Sequence, residues 1–96
     1  MPEEYCLTLL KADLGLYTAA GPVEDLLRQK LGAAESALGK KGISLDPGDK
    51  DDIDLLIMYA AWLYRKRAGS EPMPPMLRAA INDHKVHAVT TEVPEA

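Results

Sequence analysis

Residues 49–69, DKDDIDLLIMYAAWLYRKRAG, decide the fold of this chain, because four acidic residues open the stretch, three basic residues close it and eleven apolar residues fill the middle. That is a helix with both ends written out. Asp49 or Asp51 can accept the free amides of a first turn, and carboxylates there oppose the positive end of the helix dipole. Arg65, Lys66 and Arg67 sit at the negative end, and Gly69 is placed to take the left-handed conformation that stops a coil. From Ile53 to Tyr64 only Asp54 is polar, so the apolar surface runs nearly all the way round. Such a helix must be covered on most sides. The expectation is a long central post, with part of its surface covered either by the rest of the chain or by a second subunit.

Ninety-six residues form one domain, at a size where stability is marginal and help from a partner is common. A hydrophobic content of 47% with 27% charged residues suits a folded globular chain. Aromatics are scarce and Phe is absent, leaving Leu, Ile, Ala and Met to build the core. That favours packed helices over a β-sandwich. Cys6 stands alone, which rules out an intrachain disulfide and fits a reducing compartment. The opening MPEEYC carries acids where a secretory signal would carry basic residues, and no apolar run reaches the roughly 20 residues that span a bilayer. A cytoplasmic chain without membrane contact is expected. The formal charge of −4 disfavours wrapping a phosphate backbone.

Outward from the central stretch, three further helices are predicted. Pro2 followed by Glu3 and Glu4 starts the first, which runs to about Asp13 or Leu14. Its apolar row is Tyr5, Leu9, Ala12 and Leu16, with Cys6, Leu10 and Leu14 beside it. Gly21-Pro22 starts the second, with Val23, Leu26, Leu27, Leu31, Ala34, Ala37 and Leu38 at helical period and Gly39-Lys40-Lys41-Gly42 at its end. Gly32 inside this helix costs roughly 1 kcal/mol against alanine, so close approach to the central helix is the expected compensation. Ile43-Ser44-Leu45 is a short alternating segment before the Asp46-Pro47-Gly48 turn. The prolines of Gly69–Pro75 stiffen the next connection and favour extended backbone. From Pro75 a last helix runs to about His84 or His87, with Met76, Leu77, Ala80 and Ile81 as its apolar face. The remainder, AVTTEVPEA, lacks a helical period and reads as an extended or disordered tail. The expected architecture is therefore all-α: a small four-helix domain over residues 1–86 and a flexible C-terminal tail over 87–96.

No catalytic or metal signature emerges. The acids Asp46, Asp49, Asp51, Asp52 and Asp54 do not fit an EF-hand loop, since counting from Asp49 puts Asp54 where glycine is required and Ala60 where glutamate is required. Capping and solvation account for them. His84 and His87 share a helix face, but further ligands at motif spacing are missing; an exposed helix end bearing two histidines is the expectation, with charge changes between pH 5 and 8 typical of that residue type. Phosphate loops, nucleophile elbows and zinc-protease signatures are absent as well. No enzyme activity and no cofactor are expected.

The order of the pieces carries a resemblance: Leu10-Lys11-Ala12-Asp13-Leu14; Asp25-Leu26-Leu27 through Ala33-Ala34-Glu35; Gly42-Ile43 with an Asp-rich turn; Leu56 through Arg65; and Met73-Pro74-Pro75-Met76-Leu77-Arg78-Ala79-Ala80-Ile81-Asn82. Over residues 5–86 the chain resembles the small head–tail connector (adaptor, or head-completion) proteins of long-tailed bacteriophages and prophages. Thr18–Gly21 departs from the pattern, since relatives carry an acidic residue ahead of the second helix. The resemblance implies a structural virion assembly protein in a ring of about twelve subunits under the portal. Such a ring extends the DNA channel and docks the tail-completion protein, and DNA passes through it without sequence-specific binding. It also implies a place in the virion, with assembly in the host bacterial cytoplasm.

Portal or tail contact would fall on the C-terminal segment, on Val86, His87, Val89 and Val93. Subunit contact would fall on Tyr59, Trp62, Tyr64, Arg65 and Arg67. A ring of acidic protomers presents a negative lumen that lets DNA slide. The alternatives are a small helix-turn-helix-like DNA-binding regulator using residues 49–84, whose last helix offers only Arg78 and Lys85 against Asp83, and a generic helical protein-interaction adaptor.

Overall fold

Helix starts are written into the sequence at four places, and the computed structural model uses all four. It describes residues 2–67, 69 and 71–92, with side chains as far as Lys85. The elements are α1 (Glu3–Leu14), α2 (Pro22–Lys40), α3 (Lys50–Lys66) and α4 (Pro75–Glu92), and the described residues contain no strand. The chain is all-α. Pro2 precedes α1 as an extended cap rather than as its first helical residue, whereas Pro22 and Pro75 open their helices directly. Asp49 is the cap of α3: its carboxylate accepts the Asp51 amide at 2.9 Å. Just upstream, Asp46 closes the turn by accepting the Gly48 amide on its side chain at 2.9 Å and the Asp49 amide on its carbonyl at 3.0 Å. Ile43-Ser44-Leu45, which precedes it, is neither helix nor strand.

Two helices end on left-handed glycines. Gly15 (φ 73°) follows α1 while the Leu16 amide reaches back to the Lys11 carbonyl at 2.8 Å. Gly42 (φ 85°) follows α2 while the Ile43 amide reaches the Leu38 carbonyl at 3.0 Å. In each case two otherwise orphaned carbonyl positions are satisfied by one reversal of the chain. The second reversal also drops Ile43 into the core, where it is buried. α3 ends otherwise. Arg67 stays right-handed and its amide bonds the Tyr64 carbonyl at 3.4 Å, while the Gly69 amide bonds the Lys66 carbonyl at 3.0 Å. Gly69 has no positive φ, so the left-handed stop expected there is replaced by tightened turns.

The core forms where three helices meet on α3. α1 and α2 pack on each other and on α3, and α4 packs on α3 alone among the described residues. α3 buries Ile53, Leu55, Leu56, Ile57, Tyr59, Ala60, Ala61 and Trp62, with Leu63 and Tyr64 half-buried. At 17 residues it is shorter than α2; what distinguishes it is its position as the element all others touch. From α2 come Leu27, Leu31, Ala34 and Leu38. From α1 come Cys6, Leu7 and Leu10. The row Tyr5–Leu9–Ala12 does not face inward as expected: Tyr5 and Ala12 are exposed and Leu9 is half-buried. The helix is rotated so that Leu7, not Tyr5, joins Cys6 and Leu10, which keeps the tyrosine hydroxyl in water rather than in an aliphatic core.

Two further expectations are corrected. Gly32 lies on the exposed side of α2, and a Cβ built there would meet nothing within 4 Å; close packing is not what the glycine serves. α4 continues to Glu92, so residues 88–92, expected in an extended tail, are helical. No breaker precedes Pro94, and once a helix is nucleated each added residue extends it without a new nucleation cost. The expected boundary between 86 and 87 thus falls inside a helix. Val93 and the three residues after it lie outside the described residues.

Candidate functional site

α4 meets the body of the protein along a narrow stripe. Leu77 and Ile81 are buried against α3, and His84, one turn further on, is half-buried. The spacing 77, 81, 84 follows one face of a helix. His84 Nε2 lies 2.9 Å from Asp52 Oδ1, and Nδ1 lies 3.0 Å from the Ala80 carbonyl. Both neighbours are acceptors, so a doubly protonated ring satisfies both and a singly protonated ring satisfies one. The other oxygen of the same carboxylate, Asp52 Oδ2, accepts the Asp46 amide at 2.8 Å. Asp52 therefore ties together the turn before α3, the first turn of α3 and the middle of α4. This corrects the expectation of an exposed histidine pair. The side chain of His87 lies outside the described residues.

The opposite end of α3 joins aromatic rings to cations. Tyr59 and Trp62 pack edge to face with centroids 5.5 Å apart. Lys66 Nζ stands 4.4 Å from the Trp62 ring centre and the Arg67 guanidinium 3.7 Å from that of Tyr64. The Trp62 indole donates to the Glu71 carbonyl at 3.2 Å, and Arg67 donates to the Tyr64 carbonyl at 2.5 Å. Arg65 pairs with Asp13 of α1 at 3.4 Å. Of the five residues expected at a subunit interface, Tyr59 and Trp62 are buried in the chain's own core, Tyr64 is half-buried, and Arg65 and Arg67 are exposed. Arg65, Tyr64 and Arg67 lie close along one end of α3. Tyr59 and Trp62 support that end from beneath.

A third cluster joins α1 to α2. Arg28 reaches Glu3 at 2.7 Å, Glu4 at 2.6 Å and Glu24 at 3.7 Å, and Lys11 pairs with Glu24 at 2.5 Å. The Lys11 hydrogen bond holds the Glu24 carboxyl below the usual glutamate range, against the opposing effect of burial. Glu4, with help from Glu3 and Glu24, raises the already high value of Arg28. Exposed pairs of this kind contribute little each; together they fix how α1 lies across α2. Burial pushes the Cys6 thiol above its ordinary value, which leaves it a packing group rather than a nucleophile.

Among the described residues no group of three or more His, Cys, Asp or Glu side chains is arranged to hold a metal ion, and no helix is long and apolar enough to cross a membrane. Of the expected portal-contact residues, Val86, His87 and Val89 fall in the distal part of α4 by their backbone positions. No family model, no curated protein and no solved structure matches the chain.

Proposed function

We propose that this protein is a structural assembly component, a phage or prophage head–tail connector that joins other copies and a portal through helix surfaces rather than catalysing a reaction. The observation that carries this reading is α4. An 18-residue helix follows a proline-rich connection and, among the described residues, packs on one other helix, an arrangement suited to reaching a partner while α1–α3 keep their own core. The residues expected to meet the portal or the tail, Val86, His87 and Val89, belong to its distal part, with Val93 following. Glu71–Pro75 then sets where the arm leaves the body.

Further support comes from chemistry already committed within the chain. His84 is engaged by Ala80 and Asp52, and the basic residues ending α3 are taken up by Asp13 and by two aromatic rings. That weakens a regulator reading, which needs a free basic face directed at DNA. The negative balance of the chain suits a ring lumen through which DNA slides.

Sedimentation velocity at rising protein concentration, with negative-stain imaging, tests the proposal. Rings well above 10.4 kDa, alone or on an added portal oligomer, are expected. A strict monomer that binds no portal, encoded by a gene with no portal, terminase or capsid gene beside it, overturns it.

A further inference from the structure

We propose that α4 is a hinged arm that opens as one unit about the Glu71–Pro75 connection while α1–α3 stay folded, with the His84–Asp52 bond as the latch that sets how often it opens. The packing supplies the first reason. α1, α2 and α3 each touch the other two, whereas among the described residues α4 touches α3 alone, so detaching α4 breaks one helix interface and leaves three intact. Elements with few buried contacts are the ones that open locally below the cost of global unfolding.

The connection supplies the second reason. Trp62 Nε1 holds the Glu71 carbonyl, which pins the start of the connection to the end of α3. Beyond that point Pro72, Pro74 and Pro75 carry no amide donors and keep the backbone out of helical register with α3. Rotation is thereby confined to the few residues between a fixed carbonyl and the first turn of α4, and the half-buried Met73 leaves the core as the arm opens. A hinge of this kind absorbs a large motion at a small number of positions.

The latch supplies the third. Leu77 and Ile81 grip the near half of the arm, and His84 is the last described side chain that reaches α3. Its partner Asp52 also holds the Asp46 amide, so the state of the arm is coupled to the Asp46-Pro47-Gly48 turn through a single carboxylate. A hydrogen bond to a carboxylate contributes more than one between neutral groups, which makes the bond a fitting control point for an arm whose other described grips on the core are the buried Leu77 and Ile81 and the half-buried Ala80.

Residue-resolved hydrogen exchange of the full chain, alone in solution, tests the proposal without any partner and so separately from the connector reading. The amides of Ile81–Lys85 are expected to exchange through one shared opening, faster and with weaker denaturant dependence than those of Leu31–Ala34 in α2. His84→Ala should speed the α4 amides roughly ten-fold and leave the α2 amides unchanged. Asp52→Ala, which removes the His84 partner from the α3 side, guards against a folding defect in the first variant and should act in the same direction. The double variant should exceed the larger single effect by less than about two-fold. Exchange of α4 only by global unfolding, equal acceleration of α2 and α4, or full additivity of the two substitutions each overturns the proposal.

Discussion

The Trp62 indole nitrogen and the Glu71 carbonyl, 3.2 Å apart, fasten the end of α3 to the start of the segment that leads into α4. The ring itself is buried beside Tyr59 and under Lys66. One residue thus serves the core with its face and the connection with its edge. Trp62→Phe keeps much of the apolar surface and removes the donor. A loss of about 1 kcal/mol in unfolding free energy is expected, measured by urea denaturation. A loss above about 3 kcal/mol would instead mean that ring volume, rather than the hydrogen bond, dominates at this site.

Leu56 and Gly32 mark the two extremes of substitution in this fold. Leu56 is 1% exposed at the centre of α3, so Leu56→Ala removes buried methyl groups and leaves a void, at a cost of about 2–5 kcal/mol. Gly32 faces open space. Gly32→Ala therefore gains helix propensity with nothing to clash against, and an increase in stability of about 0.5–1 kcal/mol is expected. A Gly32→Ala that destabilises the protein only at concentrations where it self-associates would show that this open side of α2 is covered by another copy.

Gly42 is the reverse case. Its φ of 85° lies where L side chains are strained, and the reversal it makes carries Ile43 into the core. Gly42→Ala is expected to cost about 1–2 kcal/mol although no neighbour stands within 4 Å of the added carbon. Thermal unfolding monitored at 222 nm reads the shift. An unchanged midpoint would place the turn in some other conformation.

These positions show what the sequence makes legible and what it hides. Caps and prolines are local signals, so the starts at Pro22, Asp49 and Pro75 are readable within a residue or so. The phase of α1 is not, because Tyr5, Cys6, Leu7, Leu9 and Leu10 offer apolar residues on nearly every side of a short helix, and only the positions of α2 and α3 select among them. The His84–Asp52 bond spans 32 residues, and no periodicity reports such a pairing. The one available hint is that His84 continues the Leu77–Ile81 stripe. The length of α4 is hidden for a related reason: AVTTE lacks an apolar period, yet a helix already nucleated needs none to continue, and α4 runs to Glu92.

Acid should loosen the α1–α2 contact through Glu24. Its carboxyl is held below the usual range, first by the Lys11 hydrogen bond and then by the nearby positive charges of Lys11 and Arg28, against burial. A depressed value in the folded state means that the stabilisation is present above the unfolded value and is lost as pH falls through the folded one. The window lies below about pH 4.3. Stability of the wild type should fall there more steeply than that of Glu24→Gln, which has no charge to lose. Parallel acid limbs for the two proteins, measured by urea unfolding from pH 6 to pH 3, would mean that solvent screens the pair completely.

Truncation after Lys85 separates folding from docking. Leu77, Ile81 and His84, which fasten α4 to α3, all precede the cut, so the core loses none of its described contacts. The helical signal should drop only by the share of residues 86–92, and the unfolding free energy should stay within about 0.5 kcal/mol of the full chain. If the connector proposal holds, the truncated protein fails to join a portal ring or tail component while the full chain succeeds, because the expected docking residues Val86, His87, Val89 and Val93 are gone. An unfolded truncation product would mean that the distal part of α4 packs on the core. Assembly that persists without it would move the docking surface to the Gly69–Pro75 connection or to the Tyr64, Arg65 and Arg67 end of α3.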